Sequence, residues 1–225
     1  MVPNSRQQKN WLALTNTIDL TSRLTVGTSF NYVYEYLFNV PAEGYSTQTA
    51  ASFNQFFQRN VETEKLKRYK RADGTYTTWN ITSPTNLTAK FWDNPYTEVN
   101  ENIAHNYIQR LYGNAFVSLK LLPGLKLSAI ARGNFQNVNG DARIASYTLG
   151  TPRFATSESK FRETNFVGSA EYEKTFSDFT LNAAVLGELM TQQTDVVNAS
   201  TNGGFILPNV YNVSNSLGEK QRAMP

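Results

Sequence analysis

The sequence predicts an all-β fold: an antiparallel up-and-down transmembrane β-barrel segment, a fragment of a larger plugged barrel. Three observations carry that prediction. Apolar and polar residues alternate with period two over stretches of ten or more residues, which separates them onto two faces of a strand and scatters them around a helix. These stretches are joined in pairs by tight turns, and long polar segments lie between the pairs. The composition agrees. Of 225 residues only 17% are charged and 13% are aromatic, and about a third are Ser, Thr, Asn or Gln. An average soluble domain carries about 25% charged residues.

The first strand, about 11–20, places Leu12, Leu14, Ile18 and Leu20 on one face. The second, 23–36, sets Leu24, Val26, Phe30, Tyr32, Tyr34 and Tyr36 against Thr25, Gly27, Ser29, Asn31 and Glu35. Strands 107–121 and 125–135 set Leu111, Val117, Leu119, Leu127 and Phe135 against Asn114, Ser118, Ser128 and Arg132. Strands 162–176 and 179–190 present Phe166, Tyr172, Leu181, Val185 and Leu189, with Leu186 and Met190 breaking the last alternation. The turns fall at Thr21-Ser22, Pro123-Gly124 and Ser177-Asp178, and all carry turn-forming residues.

The long segments are 37–104 and 138–157. Compact soluble domains rarely hold structureless connections above about 15 residues, whereas outer-membrane barrels alternate short turns with long external loops. On that reading the Leu/Val/Phe/Tyr face meets lipid, the Thr/Ser/Asn/Arg face lines a lumen, and Tyr32, Tyr34 and Tyr36 form an aromatic girdle. Six strands leave two open edges, which lipid does not tolerate, so a slice of a larger barrel is expected. Met1–Asn10 is polar and does not read as a signal peptide, which also suggests the interior of a longer product. The competing reading is a secreted soluble β-sandwich, a carbohydrate-binding module or adhesin, whose Leu face would pack on a second sheet.

Several chemistries find no support. Without cysteine there are no disulfides, thiolate metal sites or cysteine nucleophiles, and one histidine, His105, makes no metal cluster. No catalytic, metal or cofactor site is expected. His105 reads as an interfacial residue where a loop meets a strand. Asp93, Glu98 and Glu101 offer the paired carboxylates a glycosidase needs but read as solvated loop residues. Lys65, Lys67, Arg68, Lys70 and Arg71 form a basic cluster diluted by Glu62, Glu64 and Asp73. It reads as a solvated face, with no nucleic acid as partner.

Five motifs resemble one family in order. Phe56-Phe57-Gln58-Arg59-Asn60 is followed by Leu66-Lys67-Arg68-Tyr69 and Asp73-Gly74. Asn94-Pro95-Tyr96 comes next, with Thr97 where a Trp commonly follows; then Arg110-Leu111-Tyr112-Gly113-Asn114 and Pro123-Gly124-Leu125-Lys126-Leu127. Last is Thr201–Ser216, a run built on Gly203-Gly204, Pro208-Asn209, Tyr211 and Ser214-Asn215-Ser216. The set resembles the SusC/RagA family of TonB-linked outer-membrane proteins over nearly the whole of 1–225, as a partial, early-to-middle barrel segment. The resemblance implies a Gram-negative outer-membrane nutrient importer, not an enzyme. Its cargo would be a glycan, an oligosaccharide or a peptide, driven through TonB under a SusD-like lipoprotein lid. TonB would act through a region outside this stretch, and the barrel wall would contact outer-membrane lipid.

The candidate binding residues are loop aromatics: Tyr76, Trp79, Phe91, Trp92 and Tyr96. Aromatic rings stack on the apolar faces of sugars, so these five are expected to touch substrate or lid. Within the same loop, Ser52 and the spacing of Phe53, Phe56, Phe57, Val61 and Leu66 predict a short amphipathic helix in 50–70. Asp73-Gly74 predicts a turn, and 79–96 is expected to run extended over the pore mouth.

Overall fold

In the computed structural model, residues 4–40 and 60–223 are described. Long strands dominate: β1 (Arg6–Asp19), β2 (Leu24–Phe38), β5 (Ala104–Leu122), β6 (Leu125–Ile144), β7 (Arg153–Phe176) and β8 (Phe179–Ser200). With β9 (Gln221–Ala223) they form one antiparallel sheet in the order β1-β2-β5-β6-β7-β8-β9. Each long strand pairs with the next in sequence, the up-and-down order. A separate two-stranded sheet joins β3 (Ile81–Ser83) to β4 (Asn86–Ala89). Two short α-helices, α1 (Thr63–Lys67) and α2 (Pro95–Glu101), and a 3₁₀ turn at Val213–Asn215 complete the described elements. No described helix is long and apolar enough to cross a membrane.

Register carries the alternating pattern across the whole sheet. Ile18, Val26, Val117 and Ala129 pair in succession, as do Leu24, Leu119, Leu127, Ala170 and Val185. A slip of one residue in any pair would turn that strand's apolar set over, and none has occurred between these rows. The other face carries Thr25, Ser118, Ser128 and Ser169 in one row, and Ser29, Asn114, Arg132 and Asn165 in another. Side chains bond along the second row: Asn114 Nδ2 donates to Ser29 Oγ at 2.9 Å and Arg132 Nη1 to Asn165 Oδ1 at 3.3 Å. Asn165 reaches on to Glu188 of β8.

The apolar face stays uncovered. Leu14 is 60%, Leu189 67% and Val185 75% exposed, and among the described residues no second sheet packs against it. A soluble sandwich buries this face, so the architecture is that of a barrel wall. The buried apolar side chains among the described residues lie instead in the connecting segments, where Leu66, Tyr76, Val99 and Ala145 are enclosed with Asn94, Pro95 and Thr97.

Several expected boundaries change, and β1 begins at Arg6 where a start near 11 was expected. The segment 138–157 is not a loop: β6 runs to Ile144 and β7 begins at Arg153, leaving only residues 145–152 as the connection. Strand β8 likewise continues ten residues past 190 to Ser200. These extensions carry no continuous apolar face, with Val138, Phe154, Phe161, Val196 and Val197 scattered among polar residues, so alternation stops while the hydrogen-bond ladder continues. The segment 37–104 is also structured. Residues 79–96 do not run extended: they fold into the β3–β4 hairpin and enter α2. The helix expected in 50–70 is present only as α1, and Ser52, Phe53, Phe56 and Phe57 lie outside the described residues.

Candidate functional site

Three connections meet at one end of the sheet: residues 60–103, 145–152 and 201–220. The Asn94-Pro95-Tyr96 motif anchors the first. Asn94, 1% exposed, accepts from the Tyr96 N–H at 2.9 Å and donates through Nδ2 to the Leu66 carbonyl at 2.9 Å. One side chain thus caps α2, whose first position is Pro95, and fastens α1 to it.

The connections then lock together. Asp93 Oδ2 accepts from Leu149 N and Asn102 Oδ1 from Ala145 N, both at 2.8 Å, which ties 60–103 to 145–152. Ser146 Oγ accepts from Asn209 N at 3.2 Å, tying 145–152 to 201–220. Arg143, near the end of β6, donates from Nε to the Glu101 carbonyl at 2.9 Å and lies 4.2 Å from the Tyr211 ring centroid. The third connection holds its own shape through Asn215, whose amide bonds Leu207 N–H, Leu207 C=O and Val210 C=O. Gly203 and Gly204 take φ of 70° and 104°, conformations open to glycine.

Burial sets the electrostatics of this cap. The Glu98 carboxyl is pushed up to about 7 by its enclosure, opposed by the bond from Asn102 and reinforced by the charge of Asp93. Burial also raises Asp93 above its ordinary value, opposed by the bond from Leu149 N–H. Asp93 and Glu98 are therefore not the solvated loop residues expected of them. Glu101 accepts from Tyr69 OH at 3.1 Å and Lys70 Nζ at 3.3 Å, and burial followed by this carboxylate raises the Tyr69 phenol. Tyr211 is raised by burial against the opposing Arg143 charge.

The five candidate aromatics differ in exposure. Tyr76 is 7% exposed, packed 6.2 Å from Tyr69, with its phenol raised by burial and by Glu101. Phe91 is 64% exposed beside Lys90, while Trp79, Trp92 and Tyr96 are half-buried. Arg71, read as part of a solvated basic face, turns inward and donates to Tyr76 C=O at 2.6 Å and Thr75 Oγ1 at 3.2 Å. His105 sits within β5, with Nδ1 2.9 Å from Asp141 Oδ2 and its ring 5.1 Å from Phe38. Reasoning from sequence missed Arg143, Asn102 and Ser146. Each acts across a long sequence gap that no local pattern encodes.

No family model matches the chain, and no curated protein matches it. Solved structures do. The chain superposes on the structure of the RagAB peptide importer in the closed-closed state with a TM-score of 0.62 at 17% identity. The match covers 98% of this chain and 25% of that one. The open-open state of the same importer matches with a TM-score of 0.62 at 18% identity, covering 98% and 24%. The chain therefore shares the fold of about a quarter of a much longer transporter chain.

Proposed function

We propose that this chain is a wall segment of a SusC/RagA-type, TonB-dependent importer in the outer membrane of a Gram-negative cell, a transport protein and not an enzyme. The observation that carries the reading is the oblique course of the apolar belt. By register, Leu12 and Ile18 of β1 stand level with Gln193 and Gly187 of β8. The apolar stretch of β8 instead runs from Phe179 to Leu189, four to eight residues nearer the turns. At about 3.3 Å per residue and about 4.8 Å per strand step, a belt displaced that far over five steps lies roughly 30–50° from the perpendicular to the strands. Membrane barrels tilt their strands by about 35–45°. A membrane plane crossing tilted strands accounts for the offset, and a soluble sheet gives no reason for it.

The interlocked cap lies at the loop end of the wall. On this reading it faces outside, beneath a SusD-like lipoprotein lid, and the cargo is an oligosaccharide or a peptide. The neighbours named as a RagAB peptide importer support the transport reading. On this reading Trp79, Phe91, Trp92 and Tyr96, exposed or half-buried, touch substrate or lid, while Tyr76, 7% exposed, packs within the cap. Uptake of labelled peptides and oligosaccharides by cells carrying single alanine changes at Trp79, Trp92 and Tyr96 tests this. Reduced uptake or lid capture with normal heat-resistant barrel is the expected result. Loss of barrel with unchanged uptake per folded molecule removes these residues from the site.

A further inference from the structure

Three cations stand side by side at the turn end of the polar face. Lys120 of β5 and Lys126 of β6 are register partners, and the Arg23 carbonyl accepts from the Lys120 N–H at 2.8 Å. Each lies two positions from the row Thr25, Ser118 and Ser128 and so shares its face. Cross-strand neighbours sit about 4.5–5.5 Å apart at Cβ, and like charges placed directly opposite destabilise the pair. Glu171 of β7 relieves Lys126 at 3.3 Å. Among the described residues, neither Arg23 nor Lys120 has an ion pair. Asp19 of β1 accepts instead from Thr25 Oγ1 at 2.6 Å. Further up the same face, Arg110 and Arg132 each donate to an asparagine oxygen.

All three cations line one hollow of about 710 Å³ beside the Pro123-Gly124 turn, together with Leu122, Glu171 and Glu173. Its charge is unevenly spread. Arg23 and Lys120 make the β2–β5 side basic, and the two glutamates sit on β7. Leu122 is 61% exposed. A lone phosphate would meet the cations but leave the hollow unfilled and Leu122 bare. A lipid headgroup lies on the wrong side, because lipid meets the opposite, apolar face. A peptide segment matches if it sets carboxylates on Arg23 and Lys120 and an uncharged stretch on Leu122. Further carboxylates on it would run into Glu171 and Glu173, so its acidic residues belong at one end.

The source of such a segment follows from length and tethering. This chain covers 25% of the transporter chain it matches, so most of that chain lies outside the shared stretch. A segment of the same polypeptide is presented to the wall at high effective concentration, an advantage no separate protein has. Arginine also takes a carboxylate through two parallel bonds, which fixes the segment's position as well as its charge.

We infer that the hollow holds an acidic segment from another part of the same longer polypeptide, its carboxylates on Arg23 and Lys120. This rests on the importer reading, which makes the polar face a lumen. The test is zero-length carbodiimide cross-linking of the full-length protein in detergent, read by peptide mass spectrometry. The reagent joins a lysine amine to a carboxylate only where the two touch, and Lys126–Glu171 at 3.3 Å is its internal standard. Lys120 is expected to join an Asp or Glu of the same polypeptide outside residues 1–225. Lys120→Arg keeps the charge and the fold and is expected to lose that link while Lys126–Glu171 remains. Arg23→Glu combined with Lys120→Glu is expected to speed amide exchange in the joined segment tenfold or more. The inference is overturned if Lys120 joins nothing outside 1–225, or joins a second molecule in a mixture of isotope-labelled and unlabelled protein. Unchanged exchange in the double variant overturns it too. A Lys120 link in a protein that assembles no heat-resistant barrel counts against the importer reading alone, and the acidic partner stands.

Discussion

The ring of Phe116 on β5 lies directly over Gly27 on β2. A Cβ built on Gly27 would stand 2.3 Å from Phe116 Cε1 and 3.0 Å from the Asn16 carbonyl oxygen. The two residues are register partners, followed along the same row by Ile130 and Val167. An apolar row therefore crosses the otherwise polar face, and its first member needs a neighbour with no side chain.

Gly27→Ala should cost about 1–3 kcal/mol, the usual range for overpacking. Phe116→Leu in the same molecule should recover part of it by clearing the space. Denaturant unfolding of the barrel in lipid vesicles, with the double variant alongside, measures both. A Gly27→Ala protein as stable as the parent would mean that the ring moves aside freely.

The two faces should answer differently to charge. Ser118 and Ser128 stand opposite each other, their hydroxyls 3.5 Å apart, while Leu119 and Leu127 pair on the apolar face. Arginine at Leu119 or Leu127 should cost about 2–4 kcal/mol, the penalty for a cation near the bilayer midplane. Arginine at Ser118 or Ser128 should cost far less. Equal tolerance on both faces, read from folding yields into vesicles, would contradict the membrane reading.

How much of this was legible in the sequence depends on which force holds each element. Where one face is apolar, as along Leu24–Tyr36 or Leu125–Phe135, alternation marks the strand and its turn without help from tertiary structure. In 153–163 and 191–200 apolar residues such as Phe154, Phe161, Val196 and Val197 are scattered without alternation, and the strand persists because its neighbours supply hydrogen-bond partners. Nothing local records that. The cap was less legible. The start of α2 at Asn94-Pro95 rests on a local bond, yet it was missed: an extended course was expected across 79–96. The union of Asp93 with Leu149, or of Arg143 with Glu101 and Tyr211, joins residues dozens of positions apart. The loop aromatics were visible as residues, but which of them would be buried was not, since Tyr76 packs against Tyr69 and meets the Glu101 carboxylate at the end of α2.

The cap should weaken as pH rises. Glu98 is held with its carboxyl near 7, above its ordinary 4.5, so the folded cap binds more protons than the unfolded loop between those values. Stability is then highest below about 4.5 and falls until about pH 7, by on the order of 3 kcal/mol. Asp93, raised in the same direction, adds to the slope. Melting of the cap followed by tryptophan fluorescence should come at a lower temperature at pH 8 than at pH 5.5. Glu98→Gln should flatten most of that difference. A parent protein whose cap melts identically at both pH values would show that Glu98 is solvated.

Arg143 should behave as a clasp between two connections. Its Nε bond to the Glu101 carbonyl holds the end of α2, and its guanidinium plane covers Tyr211 in the third connection. Lysine keeps the charge but loses the planar fork that makes both contacts at once. A bond from a charged donor contributes about 1.5–3 kcal/mol, and a cation over an aromatic ring about 0.5–2 kcal/mol. Arg143→Lys should therefore lower the cap's stability by about 2–3 kcal/mol while the strands stay as they were. Amide hydrogen exchange separates the two. Exchange should quicken in both 95–103 and 201–216, at unchanged protection across β5 and β6. The backbone bond from Arg143 N–H to the Ile103 carbonyl at 2.9 Å does not depend on the side chain, so the end of β6 keeps its place in the variant. Quickening in 95–103 alone would show that Tyr211 is held by its own T-shaped contact with Phe205, 5.7 Å away, and that the third connection docks without the arginine.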